Sequence, residues 1–544
     1  MPITATAARG SINAVLELAA GEQLLLASTA VISTITGITA PTGSTGMRFH
    51  VKLSDFTASG SFTITGTGTP ANTETFTVAA LSAQQVQSSQ LANFEIVSAN
   101  AYTAITNITT TGLTNGIITV YGIQAGKYQL PGVMKSKRTP KIYSPNEHNT
   151  LIERDKKVVQ LVQNTSIDEI KQDAYANLSL WWCWVMFGAP TTTASIPATP
   201  TSLLAVTAVS GTPLSLTTQP SSPGMILIFV VTASSAVGSI AITGTNRYGA
   251  ATTETITMNG NGSNGNGTYY SSNVYKTVGA SGLAVTGLTA GSVAITGVYG
   301  WSLTFLSGGS QYTAAVEWYD GTGSWTHPFV VIDEGTFDAK VQTEISVTAK
   351  GKAQDKLPIG DRTTTPLTGV NRIAALGVNL DDEPIVGWQT KLYLDAITGT
   401  PLTTQNVNVE ELKVDIKVPN EDHFTFVNTQ TFNRAYPVKR SAMATMTLDF
   451  TDMLQYEQFR QGLKQYLAVQ FLGQLIGIDS GTQYYKSWTW TLPVKSDGGF
   501  DVTSDPSKGS VTAAATWVCE YDSSLGGSWK LVVVTQVPPA TYAS

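Results

Sequence analysis

The sequence predicts a mainly β protein in which one β-sandwich occurs twice and a charged β domain with a flanking helix is split around the second copy. Three observations carry this prediction. First, Gly60-Ser61-Phe62-Thr63-Ile64-Thr65-Gly66-Thr67 returns as Gly238-Ser239-Ile240-Ala241-Ile242-Thr243-Gly244-Thr245. Thr73-Glu74-Thr75, Thr111-Gly112-Leu113-Thr114 and Tyr121-Gly122 then return in the same order as Thr253-Glu254-Thr255, Thr286-Gly287-Leu288-Thr289 and Tyr299-Gly300, an ordered series that chance does not produce. Second, both copies alternate with period two and are punctuated by turns such as Asn115-Gly116 and Asn259-Gly260. Third, charge is partitioned: eight charged residues in 1–126 and three in 197–304, against fifteen in 127–196 and forty-four in 305–544.

These shifts set the expected domains, taken in chain order. Residues 1–126 are the first sandwich. Residues 127–196 open the charged domain with an extended basic run, Lys135-Ser136-Lys137-Arg138 and Lys141. A capping box of Ser166 and Glu169 then predicts a helix in which Ile167, Ile170, Ala174, Leu178, Trp181 and Val185 recur until Gly188 and Pro190 stop it. Residues 197–304 are the second sandwich, an insertion bounded by Pro-rich and Gly/Ser-rich linkers. The charged domain resumes over 305–544. There Leu412, Val414, Ile416 and Val418 alternate with Glu411, Lys413, Asp415 and Lys417, as in a half-buried strand. Similar alternation marks Phe337–Lys350, Ala442–Phe450, Trp488–Val494, Val511–Tyr521 and Leu531–Val537, and a second helix starts near Thr451-Asp452 with Gly462 weakening its end.

Composition excludes several classes of function. A net charge of −6 disfavours a protein that grips nucleic acid through a basic surface. Two cysteines make no disulfide framework, and four histidines without metal-ligand spacing make no structural zinc site. No signal peptide and no apolar run of membrane-spanning length is legible, so synthesis in a cytoplasm is expected. Candidate chemistry is thin, and no catalytic, cofactor-binding or metal-ligating residue is assigned. Asp381-Asp382-Glu383 and Asp333-Glu334 lack calcium-loop spacing and read as solvated turns. In Glu421-Asp422-His423 the neighbours point to opposite faces of an extended chain and cannot relay a proton. Trp181, Trp182, Cys183 and Trp184 would cover more than half of a helix, which reads as burial in the chain's own core and against a neighbouring subunit.

The order of elements in the charged domain resembles the tail tube proteins (major tail proteins) of long-tailed bacteriophages. The likeness rests on a helix ending in Phe187-Gly188, then His327-Pro328-Phe329, Ala339–Lys350 followed by Gly351-Lys352, Lys391-Leu392-Tyr393-Leu394-Asp395, the strand Val409–Val418, and Thr447-Leu448-Asp449-Phe450-Thr451-Asp452. The duplicated segment looks like the immunoglobulin-like β-sandwiches that such proteins carry. The resemblance implies a β-sandwich or half-barrel whose strands join those of neighbours, in rings of three or six chains that stack into a tube in the virion. It further implies a tape-measure protein in the lumen, tail terminator and tail tip proteins at the ends, and DNA that passes without specific binding. On this reading Trp181, Trp182 and Trp184 lie at a subunit boundary, Glu411, Lys413, Asp415 and Lys417 lie in the tube wall, and Gly351–Pro384 reaches an adjacent ring. Two other readings compete: a capsid-decorating or surface-layer protein built on the sandwiches, and a tail-associated polysaccharide depolymerase.

Overall fold

A computed structural model describes residues 12–16, 24–30, 34–35, 47–54, 60–69, 71–78, 94–113, 117–124, 128–130, 132–143, 159–177, 179–209, 213–259, 264–289, 291–320, 323–360, 383–406, 409–424, 432, 434–449, 453–505 and 510–539. The fold is mainly β and almost wholly antiparallel, as the alternation predicts.

The two repeats have one architecture. In the second, the spatial order of strands is 201–208, 292–298, 225–232, 267–286, 238–246, 251–258. In the first it is 24–30, 117–124, 47–54, 101–111, 60–69, 73–78, the same order of equivalents. Strand 267–286 pairs with 225–231 up to Tyr275 and with 239–246 beyond it, which folds the sheet over its own core of Phe229, Ile240, Ile242, Leu283 and Ile295. At the crossing the ladder skips from Val274 to Tyr270 and leaves the backbone of Ser271–Asn273 unpaired. Glu254 satisfies it: its carboxylate accepts from Ser272 N (2.6 Å), Asn273 N (3.1 Å) and Tyr275 Oη (3.3 Å), while Ser271 Oγ accepts from Leu227 N (2.9 Å).

The first copy repeats the backbone bonds of this cluster, while Tyr102 Oη accepts from Asn100 Nδ2 (3.2 Å) where Tyr275 Oη donates to Glu254. Glu74 accepts from Ala99 N (2.7 Å) and Asn100 N (3.1 Å), and Ser98 Oγ accepts from Phe49 N (2.8 Å). The shared signal is Ser-x-Asn-x-Tyr, at Ser98–Tyr102 and Ser271–Tyr275. Glu254→Ala strands these donors and is expected to cost about 1–3 kcal/mol. Thermal unfolding monitored in the second sandwich should register that loss while the first sandwich is unchanged.

The domain boundaries differ from those expected. Strand Ile12–Leu16, placed in the first sandwich by its position in the sequence, pairs instead with Tyr128–Leu130 and Ala314–Tyr319 of the main domain. Both sandwiches are therefore insertions. The second enters and leaves at adjacent backbone positions, because Thr192–Ile196 pairs with Gly300–Leu306 from Ile196↔Gly300 to Thr192↔Thr304. Its boundary accordingly falls near Gly300 rather than after residue 304.

The main domain holds an unbroken antiparallel run of eight strands. Its order is 133–143, 159–173, 346–353, 331–340, 409–417, 441–449, 510–519 and 494–505. The long strand Thr482–Asp505 continues at its other end into 465–479, and through it into 390–396, and also into 530–535, 300–306 and 192–196. Between these layers lies helix α1 (Leu180–Phe187), every residue of which is buried. Phe187 packs on Trp529 (4.4 Å between ring centroids) and Trp490 (5.8 Å), and Trp181 stacks on Trp182 (4.1 Å). Gly188 ends the helix at φ +83°, where a Cβ would stand 1.8 Å from the carbonyl oxygen of Ser310.

The first half of the helix predicted from Ser166 is a strand, and only its end, Leu180–Phe187 up to Gly188, is helical. Val159–Asp173 pairs with Val133–Tyr143 on one side and Ser346–Ala353 on the other. The physical reason is a β-bulge at Asp168–Glu169. It sets Ile167 and Ile170 on one buried face three residues apart, so Thr165, Ile167, Ile170, Gln172 and Ala174 line the core with a spacing that imitates a helix. Ser166 Oγ donates to Asp168 (2.8 Å) and caps nothing. The second predicted helix is present as α2 (Met453–Arg460), and Gly462 at φ +59° lies just beyond it.

Candidate functional site

The residues expected at a subunit boundary divide into two groups. Trp181, Trp182 and Trp184 are 1 %, 0 % and 3 % exposed in the single chain, enclosed by the two layers of the main domain. This corrects the expectation that a neighbouring subunit covers them. A helix buried all round packs inside a sandwich, and no second chain is needed to cover it. Cys183 beside them has its thiol pushed well up by burial, and burial raises that of Cys519 to about 12.

Glu411, Lys413, Asp415 and Lys417 lie on strand Val409–Lys417, with Leu412, Val414, Ile416 and Val418 buried beneath as the alternation predicts. Asp415 departs from the expected exposed face. It is buried and accepts from Thr336 Oγ1 (2.6 Å), with Lys413 Nζ at 2.9 Å. Glu411 pairs with Lys340 (3.1 Å), whose ammonium is held above its ordinary pKa by that carboxylate. The strand is flanked on both sides, by 331–340 and 441–449, so its backbone offers no edge to a neighbour.

The open edges lie at the two ends of the eight-strand run. At one end is Val133–Tyr143, the predicted basic stretch, which carries Lys135, Lys137, Arg138 and Lys141. Two of its charges are paired within the chain, Lys135 to Glu169 and Arg138 to Asp355 (3.1 Å). At the other end is 495–505, with Lys495, Asp497, Asp501 and Asp505. Among the described residues, no strand pairs with the outer side of either segment. The basic edge sums to +4 and the acidic edge to −2, by counting those residues. Each also exposes an apolar side chain, Val133 (48 %) and Val502 (50 %). Sequence reading marked the first edge as a charge cluster and missed the second, because three aspartates spread over nine residues make no run.

The remaining candidates resolve into structural contacts. Asp333 accepts from Asn420 N (2.9 Å) and Nδ2 (3.0 Å), and burial raises its pKa. Asp422 pairs with Lys352 (2.6 Å) while His423 lies edge-on to Tyr436, so the two point apart as expected. His327 is buried with its ring against Val316 O (3.2 Å) and Ser136 Oγ (3.0 Å), and burial, aided by Lys356, lowers its pKa to about 3. Asp381, Asp382 and most of Gly351–Pro384 lie outside the described residues. Among the described residues, no group of three or more His, Cys, Asp or Glu could hold a metal, and no helix is long and apolar enough to cross a membrane. No protein-family model matches the sequence, and no curated protein does.

Proposed function

We propose that the protein is a structural virion component that assembles through its main domain into stacked rings, the tube of a phage tail. The observation that carries this reading is the eight-strand run, open at both ends with edges of opposite charge. An even number of antiparallel strands makes the first and last antiparallel to each other. The basic edge of one copy can therefore extend the acidic edge of the next with both copies in the same orientation. Such a head-to-tail contact closes into a ring when the rotation allows. Lysines and Pro140 on one edge disfavour pairing of like edges, which selects this contact over a two-fold dimer. The second sandwich joins at the tip of the 192–196/300–306 hairpin, away from both edges, and the first joins through Ile12–Leu16 and Tyr128–Leu130 beside Ala314–Tyr319.

Tape-measure protein in the lumen, terminator and tip proteins at the ends, and DNA in transit are the partners this reading entails. A net acidic chain suits a conduit that DNA traverses without being held. Negative-stain electron microscopy of concentrated protein tests it, with rings enclosing a central hole as the expected result. Lys135→Glu with Lys137→Glu is expected to abolish the rings, and adding Asp497→Lys with Asp501→Lys should restore them. Monomers at every concentration, or rings indifferent to both charge changes, would overturn the reading.

A further inference from the structure

The eight-strand run divides into two halves of one design. The first half is 133–143, 159–173, 346–353 and 331–340, and the second is 409–417, 441–449, 510–519 and 494–505. In each, the chain visits the first strand, then the second, then the fourth, then the third, and a helix follows the second strand, α1 in one half and α2 in the other. The flanking strands correspond as well. Ile12–Leu16 pairs with Tyr128–Leu130 and with Ala314–Tyr319, which pairs with the long strand Ser324–Lys340. Likewise Thr390–Ala396 pairs with Gln405–Asn406 and with Gln465–Asp479, which pairs with the long strand Thr482–Asp505. Leu357–Pro358 and Lys530–Thr535 then return to pair with the long strand of their own half. Both sandwiches are carried by the first half, one inside the Ile12–Leu16/Tyr128–Leu130 hairpin and one between α1 and Ala314–Tyr319.

A trace survives in the sequence. Ser346-Val347-Thr348-Ala349 returns as Ser510-Val511-Thr512-Ala513, and Glu334-x-Thr336-x-Asp338 returns as Asp501-x-Thr503-x-Asp505. The ladders place both traces in one register: Ser346 stands opposite Asp338 and Thr348 opposite Thr336, as Ser510 stands opposite Asp505 and Thr512 opposite Thr503. We infer that the main domain is a tandem duplicate of one module, and that copies of the chain join by repeating its internal joint in the register that joint specifies; this rests on the ring assembly proposed above.

Inside the chain the last strand of the first module pairs with the first strand of the second. Glu334 stands opposite Lys417, Thr336 opposite Asp415 and Asp338 opposite Lys413. The row Ala353, Thr165, Arg138 in the first module is the row Trp517, Ala444, Val414 in the second, which matches Lys137, Thr139 and Lys141 to Lys413, Asp415 and Lys417. Between copies the same joint sets Asp501 opposite Lys141, Thr503 opposite Thr139 and Asp505 opposite Lys137 of the next chain. Both acid–lysine pairs are kept, so the complementary charge of the two edges resolves to particular residues. The inward positions differ. Phe337 and Val414 are fully buried opposite each other at the internal joint, whereas the open edges carry Ser504 and Arg138 there. The internal joint is therefore permanent, and the polar edges keep a lone copy from pairing indiscriminately. A ring holds twice as many modules as chains.

Cysteine crosslinking reads this register. Both native cysteines are buried with raised thiol pKa values and leave the background silent. Thr139→Cys and Thr503→Cys, at exposed positions, are each shown to be folded by circular dichroism and then mixed under mild oxidation. The mixture should form disulfide-linked dimer, and neither variant alone should. The link should be lost when Lys137→Cys replaces Thr139→Cys, because diagonal neighbours stand about 7–8 Å apart and a disulfide spans about 3.5–4.5 Å between Cβ atoms. Thr336→Cys with Asp415→Cys in one chain supplies the internal reference and should close within the monomer at any dilution. A reference that closes while Thr139→Cys fails to link in assembled rings, or a Lys137→Cys variant that links equally well, would overturn the inference and leave the ring reading standing. Wild-type protein without rings sinks that reading, and the crosslink in concentrated solution still decides the joint: a link at Thr139→Cys upholds it and no link overturns it.

Discussion

Glu317→Ala is expected to loosen the joint between the first sandwich and the main domain by about 3–5 kcal/mol, because it leaves a buried guanidinium without its counter-charge. Arg48 of the sandwich strand Met47–Ser54 meets Glu317 of Ala314–Tyr319 through two of its nitrogens: Nε bonds Oε1, and Nη2 bonds Oε2 at 3.1 Å. Both side chains are fully buried, and Arg48 also donates to the carbonyl of Ala99. Around them Val97 bridges to Ile359, and Ile123 packs with Ala315 and Leu357. The second copy shows how the joint works without charge. Gly46-Met47 ahead of the first repeat is matched by Gly224-Met225 ahead of the second; counting from them, Ile226 stands where Arg48 does, and it packs with Val274 and Val298 in the main-domain core. Arg48→Met with Glu317→Leu should therefore recover most of the loss. Urea unfolding followed by proteolysis between the sandwich and the main domain measures both. An unchanged midpoint for Glu317→Ala would show that apolar contact alone holds the joint.

Trp182→Ala is expected to cost about 3–5 kcal/mol in the main domain through the cavity it leaves. Trp182 is fully buried, stacked on Trp181, and belongs to the cluster that includes Trp488, Trp490 and Trp529. The loss belongs to the single chain, so denaturation of dilute, unassembled protein should report it in full. Were Trp182 covered by a neighbour, the same substitution would spare the dilute chain and disrupt only assembly.

The sequence by itself determined what depends on local pattern. Period-two alternation is a property of the strand backbone, and so the duplicated sandwiches, the strand Val409–Lys417 and the buried face of Leu412, Val414, Ile416 and Val418 were all readable from residue order. The repeat carries further still, since Glu74 and Glu254 stand at matching positions and both bond the crossing bulge. Tertiary structure alone decided the rest. A bulge at Asp168–Glu169 sets the inward side chains of Ile167 and Ile170 three residues apart, a step that sequence periodicity cannot distinguish from a helical turn. The first and last strands of the eight-strand run are more than three hundred residues apart in sequence. Their opposite charges become one assembly argument only when pairing of the intervening strands brings both to the ends of a single sheet. Strand Ile12–Leu16 has no local mark of its domain, because a strand belongs to whichever sheet its backbone donors and acceptors complete, and that choice is made by partners far away in the chain.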